Sequence, residues 1–408
     1  MGALRYRDFR LLFVGQLVSL FGDGLFAVAL SFAVLETTGS RADLGYVLAA
    51  GALPLVGFVL VAGVWADRLS RRKLMLASDG VRVAIQGTLA ILIGTGHATL
   101  WVFIALYAVY GVAMAFFSPA STGLIPELLP AQELRRANGL LGITRSVTAI
   151  GGAAVGGVLV DVIGPGSAIG ADSATFAVSA FALALMHPAR SQSTERDPFL
   201  HELAVGWREV KARPWVWMTI LNISLFLMLY VAPFDVVGPI IARQSLGGAT
   251  AWGLISASFA VGMALGGAVV IVVRLRRPIL LAGILFGVTS FSPLLLAYTA
   301  PLALICGSYA LEGIGVGIFA TTWDTVLQRE IPEEVLSRVS AWDWMGSLAG
   351  MPLGFALTGP ALALVGERHL LYGMTTVSLA LTVWMLLARD IRQIGATDNR
   401  PPTDDRPC

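Results

Sequence analysis

The sequence predicts an all-α membrane protein of twelve transmembrane helices, built as two pseudo-symmetric six-helix bundles. Three observations predict it. First, the 408 residues are 56% hydrophobic and 13% charged, with a mean hydropathy of +0.77. A soluble domain is nearer half apolar and a quarter charged, and no water-soluble fold of this size hides so much apolar surface. Second, apolar runs of about 20 residues, the length that crosses ~30 Å of hydrocarbon as a helix, recur twelve times. Third, the chain resembles itself at an offset of half its length.

The runs lie near 9–36, 43–66, 74–95, 99–120, 138–163, 167–187, 215–241, 250–273, 278–298, 301–326, 338–365 and 369–388. Pro, Gly and charge clusters separate them. Helices are expected because each satisfies its own backbone polar groups in lipid, as open strands do not. The first run follows MGALRYRDFR directly and lacks the short apolar core and small-residue cleavage site of a signal peptide, so it reads as a retained span.

Arginine sets the expected orientation. With the N-terminus in the cytoplasm and alternating sides, 23 of the 28 Lys and Arg fall in cytoplasmic segments. Three (Arg41, Arg243, Arg368) fall outside, and two (Arg82, Arg145) lie within spans. The asymmetry follows the positive-inside rule and expects both termini in the cytoplasm.

Shifted by 202 residues, the halves align without gaps from Tyr107 to Gly164. Tyr107 falls on Tyr309, Gly111 on Gly313, Pro130 on Pro332, Arg136 on Arg338 and Gly164 on Gly366. The expected domains are therefore an N-terminal bundle over 1–187, a linker over 188–214, a C-terminal bundle over 215–392 and a disordered tail over 393–408. Parallel repeats of this kind build transporters whose substrate site lies between the halves. In the linker, Leu200, Leu203, Trp207 and Val210 recur at helical spacing among charged residues. That predicts an amphipathic helix, lying either on the membrane surface or on the protein's own cytoplasmic face.

The sharpest motif is Gly63-Val-Trp-Ala-Asp67-Arg68-Leu-Ser-Arg71-Arg72-Lys73, between spans two and three. Gly63 lets another helix approach. Asp67 and the arginines have the chemistry of a charge-assisted lock that holds one conformation, or of a plain positive-inside anchor. The segment resembles the signature loop of the major facilitator superfamily, Gly-x-x-x-Asp-Arg-x-Gly-Arg-Arg, with Ser70 in place of Gly. The start, Phe9-Arg10 through Gly22-Asp23, resembles the superfamily's efflux branch of macrolide and enterobactin exporters. So do Ser118-Pro119-Ala120, Ile125-Pro126-Glu127, Ala137-Asn138 and Asp172-Ser-Ala-Thr-Phe176. Gly151-Gly152-Ala153-Ala154-Val155-Gly156-Gly157 in span five is similar to the antiporter signature Gly-Pro-x-x-Gly-Gly, with Ala153 where Pro is expected. Gly152, Gly156 and Gly157 are expected to pack helices closely.

The resemblance implies alternating access around a cavity lined by spans one, four, seven and ten. It implies a small-molecule substrate, a proton or other coupling ion, a monomer in a bacterial inner membrane, and antiport linked to antibiotic resistance.

Ionisable residues inside spans are costly and mark candidate function. Asp23 lies about 14 residues into span one, near mid-membrane at ~1.5 Å per residue, and Glu312 about 11 residues into span ten. Both are candidates for proton coupling or cation binding; a satisfied polar contact between helices is the other reading. Asp235, near the outer end of span seven, joins them as a candidate. Asp79, Arg82, Arg145 and Asp343 sit at shallow depth and are expected to form a cytoplasmic gating network with Gly63, Asp67, Arg68, Arg71 and Arg72. Asp324 is placed in the following loop, and Trp252, Trp323, Trp342 and Trp344 are candidates for a cavity wall. The four histidines and two cysteines have no metal-like or disulfide spacing. No phosphate loop, GxSxG or HExxH is present, and nothing points to a cofactor or to nucleic acid. The expected function is secondary, proton-coupled export of a small hydrophobic or amphiphilic molecule, a drug or a secreted metabolite, by alternating access; an importer or uniporter on the same fold, and a non-transporting receptor or scaffold, are the alternatives. Without an ATP motif, a gradient must supply the energy.

Overall fold

The computed structural model describes residues 2–187, 199–273, 275 and 277–387. Eleven helical stretches among them are long and apolar enough to cross a membrane. The last, Val335–Leu387, has 53 residues and is broken at Gly366 (φ 77°, ψ 167°), which makes it two spans. The twelve expected spans are therefore present. They are Arg7–Thr38, Arg41–Arg68, Arg71–Gly94, Leu100–Leu128, Ala131–Ile163, Pro165–Ala184, Pro214–Leu246, Ala249–Val272, Pro278–Ala297, Leu302–Glu330, and then 333–365 and 367–387. Ile271, Leu364 and Val162 are each more than 70% exposed, on surfaces that lipid covers.

Local chemistry explains the ends. Pro165, Pro214 and Pro278 open spans six, seven and nine, where a missing N–H costs nothing. Ser70, the departure from the superfamily loop, caps span three by accepting from the Lys73 N–H. Span four runs past Pro119 and Pro126 to Leu128, eight residues beyond the expected end. Its neighbours support the helix through both prolines, which sequence alone reads as breakers.

The 202-residue repeat is present in the backbone. Pro130 and Pro332 take the same extended geometry ahead of spans five and eleven. Gly164 (φ 82°, ψ 158°) and Gly366 both adopt a conformation closed to other residues and break span five from six and eleven from twelve. Gly111 packs on the Gly51 carbonyl of span two, and Gly313 on the Phe259 carbonyl of span eight. These are the same contact in each half.

Of the expected linker, residues 188–198 lie outside the described residues, as does the tail over 393–408. The rest forms the helix Phe199–Ala212. It packs on the protein. Val210 is buried with Trp323 and Val339, Gly206 meets the Arg338 backbone of span eleven, and the Trp207 and Trp342 rings are 5.0 Å apart. That favours the alternative of packing on the protein's own face over the membrane surface.

The halves meet along spans two and eleven and spans five and eight. Gly45 packs on the Phe355 carbonyl, and Gly359 on Ala42. Gly157 packs on Ala249 and Gly253 on Ala153. These contacts, with Arg41–Glu367 at 2.6 Å, gather at the end where span one gives way to span two. The bundle is sealed there.

Candidate functional site

A cavity of about 580 Å³ lies in the C-terminal half, lined by residues of spans seven to twelve. Its wall is largely aromatic. Phe226 stacks on Tyr230 at 4.8 Å, Phe234 on Tyr309 at 4.6 Å, and Phe319 on Trp323 at 6.2 Å. Four carboxyls line it: Asp235, Glu312, Asp324 and Asp343. Span seven carries two π-helical turns, Leu227–Val231 and Ala242–Leu246. The first presents Tyr230, and such bulges recur at functional sites.

Glu312 is 4% exposed, and its Oε2 accepts the Tyr230 hydroxyl at 2.9 Å. In the other half, Asp23 Oδ1 accepts the Tyr110 hydroxyl at 2.9 Å. Each half thus joins its first and fourth spans by one tyrosine–carboxyl bond. The partners are exchanged between halves: the acid sits on span one but on span ten, and the 202-residue shift places Tyr110 on Glu312. Asp235 lines the same cavity as Glu312.

The expected gating network is divided. Arg71 Nη1 donates to the Gly123 carbonyl at 2.6 Å and pairs with Glu127 at 2.8 Å, tying span three to span four. Arg72 donates to the Leu183 carbonyl at 2.7 Å and the Ala184 carbonyl at 2.5 Å, so its charge caps the negative end of span six. Gly63, Asp67 and Arg68 fall on span two, and the side chains of Asp67 and Arg68 lie outside what is described. Asp79 and Arg82 are fully buried 3.7 Å apart. Ser179 donates to Asp79 at 2.7 Å, and the Arg82 guanidinium lies 4.5 Å over Phe117 and 5.0 Å over Phe176. Arg145 is exposed on span five, outside this group. Asp343 belongs to the other half and lines the cavity. Shallow depth was its only link to the network, and depth does not report the face of a helix. Asp324 likewise lies inside span ten, in the cavity wall, and not in a loop.

Gly152 and Gly156 both receive span one, at Phe21, Gly24 and Leu25, while Gly157 receives span eight from the other half. Two adjacent faces of one helix therefore serve packing within a bundle and contact between bundles. Trp252, Trp323 and Trp344 line the cavity, and Trp342 packs on the linker helix instead.

Sequence reasoning passed over the two tyrosines and the buried pair Gln86–Asp172, where Nε2 donates to Oδ2 at 2.6 Å. It also passed over Asp161. That carboxylate, on span five, accepts the backbone N–H of Ala249 at 3.1 Å and of Thr250 at 2.8 Å, at the start of span eight. The self-match at offset 202 carried a signal for Tyr110. For Asp161 no signal existed, because its partner is backbone in the other half.

The profile of the Major Facilitator Superfamily matches residues 12–342. Macrolide efflux protein A of Streptococcus pyogenes is 24% identical over 405 residues, covering 96% of this chain and 99% of that protein. The multidrug efflux pump Tap of Mycolicibacterium fortuitum is 26% identical over 393 residues, 91% of this chain and 93% of that protein. Among solved structures, the nucleoside transporter NupG superposes with a TM-score of 0.78 at 12% identity, over 92% of this chain and 98% of that one.

Proposed function

The chain belongs to the Major Facilitator Superfamily, and from that premise we propose that it exports an amphiphilic small molecule from a bacterial cell by proton-coupled alternating access. The observation that carries the reading is the aromatic cavity of about 580 Å³ with carboxyls in its wall, in a bundle sealed at one end only by contacts between its halves. An apolar cavity with few fixed polar groups suits an amphiphile more than a sugar or nucleotide, which needs many convergent hydrogen bonds. Export is favoured by the two efflux relatives, which cover nearly the whole chain.

Both termini are cytoplasmic in this reading, so the sealed end is the outer one and the state is inward-facing. Substrate enters from the cytoplasm or inner leaflet. The Asp23–Tyr110 and Glu312–Tyr230 pairs bind the coupling protons, and rocking of the halves exposes the cavity to the outside. Ligand and proton drive the exchange only through unequal affinity for the two states.

The test is accumulation of a panel of toxic amphiphiles in cells with and without the protein. Expected is lower accumulation that a protonophore restores. Compounds that accumulate to a higher level in expressing cells would reverse the direction, and proteoliposomes inert to every gradient would remove transport itself. Asp23→Asn and Glu312→Gln should each abolish dependence on the proton gradient. Two normally coupled variants would end their assignment.

A further inference from the structure

Spans one and five carry the same pattern at the end opposite the seal. On span one, Arg7, Arg10, Val14, Leu17 and Phe21 recur at three- and four-residue spacing and share one helix face. On span five, Arg136, Gly139, Ile143, Val147 and Gly151 do the same. The apolar members of both stripes stand open, from 37% exposed at Leu17 to 64% at Ile143. The stripes converge at their deep ends, where the Phe21 ring closes on Gly151. Gly139 has open space where a Cβ would go. The two helices thus flank a tapering apolar groove with arginines at its mouth.

Most of those arginines are unspent. Ala3 is buried with Ala137 and Leu141, and Leu4 and Leu134 pack on the same cluster, so the segment before span one lies on the start of span five. That brings Arg5, Arg7 and Arg10 beside Arg135 and Arg136, all of them exposed. Two carboxylates share this surface. Asp8 accepts the backbone N–H of His187 at 3.1 Å, and Glu133 meets Arg136 at 3.4 Å. Against five arginines, that leaves an excess of three positive charges. Arg5, Arg7, Arg10 and Arg135 have no carboxylate partner among the described residues. At the same end Arg71 pairs with Glu127, Arg213 with Glu209, and Arg72 caps span six. Crowded like charges repel, and an anion placed among them removes that cost.

We propose that this groove binds an anionic phospholipid of the leaflet that borders this end, with the phosphate among the arginines and one acyl chain along Val14, Ile143 and Val147. The charge selects an anion. The apolar taper selects a molecule with a chain over a bare phosphate, a nucleotide or an acidic peptide. Each basic side chain near an anionic membrane surface gains about fivefold in affinity. The site belongs to the N-terminal half, apart from the aromatic cavity, and it stands whether or not the chain is an exporter.

The experiment is native mass spectrometry of the full-length protein, delipidated in a non-ionic detergent and titrated with phosphatidylglycerol or phosphatidylcholine of the same acyl chains. Expected is binding of phosphatidylglycerol about tenfold tighter or more, unmoved by millimolar inorganic phosphate. Arg10→Gln and Arg136→Gln should each weaken it about fivefold. Gly139→Leu, which fills the groove without touching a charge, should weaken it by a similar factor. Arg329→Gln removes an exposed arginine at the same end of the other half and should leave binding unchanged. The substituted positions are exposed and Gly139 faces open space, so the variants keep the fold, which unchanged melting verifies. Equal affinity for the two lipids, or equal losses for Arg136→Gln and Arg329→Gln, overturns the proposal. Displacement of the lipid by inorganic phosphate would reduce the site to a bare anion patch, and indifference to Gly139→Leu would remove the groove; either result overturns it too.

Discussion

Tyr110 and Tyr230 each give a hydroxyl to one intramembrane carboxyl, at 2.9 Å in both halves. A hydrogen bond to a charged acceptor is worth about 1.5–3 kcal/mol. Tyr110→Phe and Tyr230→Phe should therefore each slow gradient-driven transport by about 10–100-fold, at tenfold per ~1.4 kcal/mol. Initial rates in inverted vesicles measure this, and thermal melting in detergent should move little, since Phe keeps the ring stacks. A Tyr110→Phe protein with normal rates would separate Asp23 from the coupling machinery. At this scale the sequence displays the acids and hides their partners. A carboxyl in an apolar run is conspicuous because burying it is costly, so Asp23 and Glu312 stand out. A tyrosine in the same run is ordinary, and only the folded bundle brings Tyr230 to a residue 82 positions away. The same limit applied to Asp343: its depth was legible, but its place in the cavity wall was not.

Whole helices are held by contacts that tolerate no side chain. A Cβ on Gly111 would fall well inside contact with the Gly51 carbonyl, and one on Gly313 inside contact with that of Phe259. Backbone cannot move aside as a flexible side chain can, so Gly111→Ala and Gly313→Ala should each destabilise by about 1–3 kcal/mol, as overpacked cores do. Gly139, on span five, has open space where a Cβ would go. Gly139→Ala should be neutral or stabilising by up to about 1 kcal/mol, because Ala is the better helix former. Thermal melting of the three variants compares them directly. Equal melting for Gly111→Ala and Gly139→Ala would mean that spans two and four are looser than they stand here. Elements were largely legible, since hydropathy reports the spans and the 202-residue repeat reports their pairing. Two features escaped. Span four continues through two prolines because neighbours hold it. The linker helix has an amphipathic period whether its apolar face meets lipid or protein, so its packing on Trp342 required the fold.

In the proposed cycle the end where the halves meet has to open, and the polar contacts described there include the Arg41–Glu367 pair. Span eight begins at Ala249 with Gly248 before it, which has no side chain to cap the helix. The cap comes from the opposite half: Asp161 accepts the first two N–H groups of the helix. Arg243, at the end of span seven, donates to the Leu35 carbonyl of span one at 2.7 Å. Both bonds join the halves, so both must break when the sealed end opens, whereas the caps within each half persist. A helix cap is worth about 0.5–2 kcal/mol, and the lower part of that range suits a side chain as exposed as Asp161. Asp161→Ala should then shift the balance towards the open form about two- to tenfold. Asp161→Asn, which keeps one acceptor oxygen, should shift it less. Arg243→Ala should act in the same direction, and the double variant should approach the sum, because the two contacts share no group. Distances between spin labels placed across each end would read the populations. The pair spanning the sealed end should lengthen as the pair at the other end shortens. If Asp161→Ala left both distance distributions unchanged, the cap would be incidental, and closure would rest on the glycine contacts of spans two, five, eight and eleven with Arg243 and the Arg41–Glu367 pair.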